Sequence, residues 1–227
     1  MLRSSLFTSA LILTCAAASG QNQQVQARKV LGPVRDAGIY HVTSGTWTRN
    51  TGAKANLGPD TIYDASAPSG YFGVGWENAE GVDEIKLPGT GHPAGGPQDC
   101  YDINGFDFSY CSQSLNLVSW TFDFYDAYTP CDDPSIPVNP LNNVATIIGG
   151  ALPSASACWI VTFDLMGGSE FGMAADNSAF PGYDGGGLAL DHGGIGATWT
   201  TTDGAFAGPI LAGGDINWAG NGEGTCY

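Results

Sequence analysis

The sequence has no lysine or arginine after Lys86. Its seven basic side chains all lie at or before that residue, where seven acidic ones balance them. The other fifteen of its 22 acidic groups fall between residues 87 and 227. A nucleic-acid ligand needs charge of the opposite sign, so a formal net charge of −15 excludes that class of partner. Charged residues make up only 13% of the chain, about half the usual share. No apolar run approaches the roughly 20 residues a membrane-spanning helix requires. Helical periodicity is missing too, and 34 glycines with 13 prolines exclude a long-helix protein. There is no C-x-x-C and no paired histidine to hold a transition metal. Nor is there a G-x-S-x-G elbow, an H-E-x-x-H helix, a phosphate-binding loop or a dinucleotide fingerprint. No repeat of fixed period stands out.

What is present is enough for a packed core. Hydrophobic residues are 43% and aromatics 11% of 227 residues, a length that suits one domain. Residues 1–20 read as a secretory signal peptide, with Arg3 as the positive end, Leu6 to Thr14 as the apolar stretch and small residues from Ala16 to Gly20 for cleavage. Residues 21–34 read as a flexible arm and 35–227 as a single domain. Export implies an oxidising compartment, in which the remaining cysteines pair. Cys15 leaves with the signal, so Cys100, Cys111, Cys131, Cys158 and Cys226 remain, an odd number. The hairpin signal Asn104-Gly105 favours a Cys100–Cys111 bridge. Cys226, beside the last residue, is the candidate for a bond to another chain.

Short β-type runs separated by Gly, Pro, Asn and Asp predict an all-β fold, an antiparallel sandwich of jelly-roll type with long loops. Two runs are strongest. Val118, Trp120, Phe122 and Phe124 alternate with polar residues, and Trp159, Val161, Phe163 and Leu165 alternate within Ala157–Met166. Period two with aromatic and β-branched residues marks half-buried strands whose apolar faces meet.

Several groups are candidates for chemistry. Asp123 and Asp164 occupy the polar faces of those two strands. Were the strands neighbours, the two carboxylates would be placed for glycosidic cleavage, one as acid and one as base or nucleophile. The plain alternative is polar-out alternation on a wet face. Asp176, Asp184 and Asp191 lie in a glycine-rich stretch able to wrap calcium, a hard cation that takes carboxylates and backbone carbonyls. Asp102, Asn104 and Asp107 form a weaker set of the same kind. Solvation of scattered carboxylates explains the acidic surface equally well. Asp191-His192 offers half of an acid–base pair, or simply a polar loop. Trp47, Trp76, Trp199 and Trp218 are the tryptophans available to stack on sugar rings, while Trp120 and Trp159 belong to the core by pattern.

With its leader, short aromatic strands, Gly/Asp-rich turns and scattered cysteines, and with runs such as 159–173 and 208–215, the chain resembles uncharacterised secreted Gly/Asp-rich β-sandwich proteins of aquatic bacteria. The resemblance is one of style over residues 35–227 and brings no site residue with it. The expected function is that of a secreted, non-catalytic structural or adhesion module of the cell surface or extracellular matrix, with calcium as an optional stabiliser. A glycan-binding, lectin-like domain is the first alternative, and a polysaccharide-active hydrolase on the same fold the second.

Overall fold

The computed structural model describes residues 26–49, 61–62, 67–74, 80–86, 100–116, 118–126, 143–174 and 192–213. Among the described residues there is no helix. The strands are β1 (Gln26–Lys29), β2 (Val34–His41), β3 (Thr46–Thr48), β4 (Ala67–Val74), β5 (Glu80–Lys86), β6 (Cys100–Ile103), β7 (Gly105–Ser112), β8 (Val118–Asp126), β9 (Asn143–Leu152), β10 (Ala157–Asp164), β11 (Phe171–Ala174), β12 (His192–Thr201) and β13 (Ala207–Gly213). They form a seven-stranded sheet in the order β1-β4-β13-β7-β10-β2-β3, a four-stranded sheet β5-β12-β8-β9, and a β11-β6 pair. Every pairing is antiparallel except β2 with β10. The all-β sandwich expected from the sequence is the fold observed.

The two sheets meet through the faces that alternation assigns. Trp120, Phe122 and Phe124 of β8 face Trp159, Val161 and Phe163 of β10, and all six are buried. Phe163 packs against Trp120 and Phe122 with ring centroids 4.6 and 5.3 Å apart. Tyr110 of β7 stacks between Trp159 and Trp199, at 5.5 and 5.3 Å. Burying a side chain such as Phe122 contributes about 2–3 kcal/mol, so this aromatic layer supplies much of the drive to fold. The Tyr110 hydroxyl escapes an unsatisfied burial by donating to the Pro153 carbonyl at 2.7 Å, and burial pushes its phenol well above the usual range.

Two features of the large sheet set the facing of its edge strands. Residues 39–48 form a hairpin, in which β2 turns through residues 42–45 into β3. Within β2, pairing to β10 slips by one residue between Asp36, opposite Ile160, and Gly38, opposite Val161. One extra residue reverses the facing of everything beyond it. Tyr40 is thereby turned into the core and His41 onto the outer surface beside Asp164. Gly38 takes φ +101°, and a β-carbon there would lie 2.4 Å from the Thr48 carbonyl oxygen, so the bulge needs glycine.

The stretch 26–34, expected to belong to a loose arm, is structured. β1 pairs with β4, β2 pairs with β10, and two strands, β13 and β7, stand between those partners. The link from Val30 to Pro33 therefore crosses the outer face of the sheet. It covers a second apolar cluster of Phe72, Val74, Cys111, Cys158 and Ile210, with Val30 and Leu31 packed on it. Cys111 and Cys158, opposite each other in the β7–β10 register, form a disulfide there. This replaces the expected Cys100–Cys111 bridge. The turn at Asn104-Gly105 does separate β6 from β7, but the β6 backbone leaves to pair with β11, with Cys100 opposite Ala174, while β7 aligns Cys111 with Cys158.

Candidate functional site

On the outer face of the large sheet, three adjacent strands bring three side chains together. β10 contributes Asp164, β2 contributes His41, and β3 contributes Thr48. Asp164 and His41 are level in the parallel register, and His41 is opposite Thr46 in the hairpin, which sets Thr48 diagonally across from it. Their side chains make one chain of hydrogen bonds. Asp164 Oδ2 lies 2.7 Å from His41 Nδ1, and His41 Nε2 lies 3.0 Å from Thr48 Oγ1. A carboxylate can only accept, so Nδ1 is assigned the proton and Nε2 is left to accept from the threonine hydroxyl. The second carboxylate oxygen accepts from the Met166 amide at 3.0 Å, which fixes the orientation of Asp164. The His41 side chain is 31% exposed and that of Asp164 16%, so solvent reaches the ring while the carboxylate stays sheltered.

Two turns frame this group. Val42 N donates to the Asp164 carbonyl at 2.9 Å, and Thr43 Oγ1 meets Ser169 Oγ at 2.9 Å. In the turn after β10, the Gly167 and Gly168 amides donate to Glu170 at 2.8 and 2.7 Å. Hydrogen bonds from its own backbone amide first, and then from those of Gly167 and Gly168, hold the exposed Glu170 carboxyl below its ordinary range.

The outer face of the four-stranded sheet carries a second polar group. Asp123 accepts from Asn143 Nδ2 at 2.9 Å and from the Thr146 hydroxyl. Tyr125 donates to Glu80 Oε1 at 2.7 Å. Burial raises the Glu80 carboxyl above its ordinary value; the Tyr125 bond opposes this, and the charge of Asp123 adds to it. Burial and the Glu80 carboxylate together push the Tyr125 phenol upward.

The carboxylate pair expected from the sequence does not exist. Asp123 is on β8 of the small sheet and Asp164 on β10 of the large one, and because Phe122 and Phe163 meet between the sheets, the two aspartates point outward on opposite sides. Alternation correctly placed each on a polar face but carried no information about which strands are neighbours. Trp199, expected to be exposed, is 1% exposed and central to the core, its indole nitrogen buried without a hydrogen-bond partner. Trp47 is 37% exposed, with its ring against Tyr40 at 5.1 Å. Trp76, Trp218, Asp176, Asp184, Asp191, Cys226 and the signal segment lie outside the described residues. Of the weaker acidic set, Asp107 accepts from Thr162 Oγ1 at 2.6 Å. Among the described residues no cluster of three His, Cys, Asp or Glu is placed to hold a metal ion, and no helix is long and apolar enough to cross a membrane.

Sequence reasoning missed His41, Thr48, Glu80 and Tyr125. Thr48 is reachable in principle, since a hairpin brings it within seven residues of His41. The His41–Asp164 contact spans 123 residues through a parallel pairing, for which a single sequence carries no signal. Compared with known proteins, the chain matches no family model, no curated sequence and no solved structure.

Proposed function

We propose that the chain is an exported β-sandwich module that serves as a structural or adhesive element of the cell surface or extracellular matrix. The observation that carries this reading is the Cys111–Cys158 disulfide, buried beneath the crossing segment at Val30 and Leu31. A bond of that kind is acquired and kept in an oxidising compartment. The leader-like residues 1–20 and the acidic composition support it, since negative charge favours solubility outside the cell. The reading does not rest on calcium, whose candidate ligands at 176–191 lie outside the described residues. The glycan-binding alternative retains Trp47 alone among the described tryptophans.

The test is export with its own leader. The protein is expressed from Met1 and its cellular fraction, first residue and free thiols are determined. Recovery outside the cytoplasm, trimmed near residue 20 and with Cys111 and Cys158 inert to alkylation, is the expected result. Cytoplasmic protein with an intact leader and both thiols free would overturn the reading.

A further inference from the structure

We propose that Thr48, His41 and Asp164 form an acyl-transfer site that hydrolyses carboxylic esters on the outer face of the seven-stranded sheet. The inference stands independently of the module reading and revises only the expectation that such a module is non-catalytic.

Nucleophilic hydrolysis needs three relations: a hydroxyl bonded to a base, the base bonded to an orienting carboxylate, and access to the hydroxyl. All three are met. Thr48 Oγ1 is 3.0 Å from His41 Nε2, His41 Nδ1 is 2.7 Å from Asp164 Oδ2, and Thr48 is exposed. Each member projects from a strand and not from a free loop, and Asp164 is pinned a second time by the Met166 amide. The bulge at Gly38 is what brings His41 to the outer face, and bulges recur where a side chain must be re-aimed at a site.

The chemistry balances without a cofactor. Thr48 Oγ1 forms a bond to the ester carbonyl carbon while its proton passes to His41 Nε2. Asp164 holds the Nδ1 proton and stabilises the imidazolium that results. The tetrahedral intermediate collapses with cleavage of the bond to the alcohol oxygen, which leaves with the proton from His41. Water then attacks the threonyl ester, giving its proton to His41, and the acid departs as that proton returns to Thr48. The net reaction converts ester and water to acid and alcohol.

The surroundings select the substrate class. The surface near the site carries hydroxyls, with Thr43 bonded to Ser169 and Ser44 bonded to Thr46, beside the exposed side chain of Met166. Among the described residues, the three side chains lie on the outer sheet face, with Thr48 exposed and the His41 ring reached by solvent. An acyl group projecting from a hydrophilic, hydroxyl-rich carrier fits such a surface; a lipid ester, which needs an apolar cleft, does not.

The test uses the full chain and p-nitrophenyl acetate. An initial burst of nitrophenol is expected, with an acetyl group recovered by mass spectrometry on the peptide bearing Thr48. Thr48→Val, His41→Gln and Asp164→Asn should each lower the steady rate by about a hundredfold or more. Thr48→Ser should retain turnover, which separates loss of chemistry from loss of fold. Asp123→Asn, on the other sheet, should leave the rate unchanged. Acetylation at His41 or a lysine in place of Thr48, or a Thr48→Val protein that keeps the wild-type rate, would overturn the proposal.

Discussion

The indole of Trp120 occupies the space a side chain would fill at Gly149: a β-carbon built on that glycine would stand 1.8 Å from the ring. The two residues are partners across the β8–β9 ladder. β9 therefore carries glycine there for a steric reason, and the ring that rests on it also packs against Phe163 and Tyr40 in the main core.

Gly149→Ala should destabilise the fold by about 1–3 kcal/mol, the usual cost of overpacking a filled core. Trp120→Phe costs stability on its own but should relieve the clash, so the double variant should be less destabilised than the sum of the single changes. Denaturant titration of all four proteins measures the coupling. Strict additivity would mean that the ring and the glycine do not share the space.

The Cys111–Cys158 bond closes a separation of 47 residues. Chain-entropy reasoning gives such a loop about 4 kcal/mol of stability. Cys111→Ala with Cys158→Ala should lower the denaturation midpoint accordingly. Both cysteines are buried, at 0% and 1% exposure, so a mild reductant should not open the bond in the native protein. Rapid reduction without unfolding, followed by alkylation, would contradict that burial.

Glu80 predicts a pH dependence whose sign can be worked out. Its folded-state carboxyl titrates above the ordinary value of 4.5, chiefly because burial disfavours the charge. A raised acid binds its proton more tightly when folded, so the stability it contributes is complete below 4.5 and is lost as pH rises through the folded value. Glu80→Gln removes that loss and keeps an acceptor for Tyr125. The stability of the variant relative to wild type should therefore improve from acid to neutral pH, modestly, because solvent reaches Glu80 and screens it. A gap that stays constant over that range would show that Glu80 does not titrate differently in the two states.

Much of this fold is legible in the chain, and the reason is periodicity. Val118 to Phe124 and Trp159 to Leu165 declare their buried faces residue by residue, and both meet in the core as read. The misreadings share a cause. Trp199 looks like a surface ring because its neighbours are threonines and glycines, yet alternation along β12 turns it inward with Ala197. Asp123 and Asp164 look like a pair because their strands look alike, yet similarity of pattern is not adjacency. The Cys100–Cys111 expectation trusted a local turn, where the observed bond depends on β10 returning beside β7. His41 depends on an insertion of one residue in β2, which sequence alone does not mark. What is local in the chain could be read, and what is set by long-range pairing could not.

The sheet edges differ in one respect that bears on how the molecule behaves in crowds. β1 ends the large sheet with Arg28 and Lys29 in its four residues, and β3 at the other end is three residues long. β5 bounds the small sheet with Glu80, Asp83, Glu84 and Lys86 among seven residues. β9 has neither defence: it is ten residues long, without charge or proline, and exposes Val144 and Ile148. Among the described residues its backbone pairs with β8 alone. Charged or very short edges repel added strands and a long apolar edge invites them. Among the described edges of the two larger sheets, β9 is thus the one open to strand addition from another copy, and the net charge of −15 opposes it. That repulsion weakens as added salt shortens the screening length below about 8 Å. Light scattering should therefore report aggregates that grow with ionic strength and disappear in Ile148→Lys, so that the acidity of the second half of the chain acts as the colloidal guard for an edge the fold leaves open.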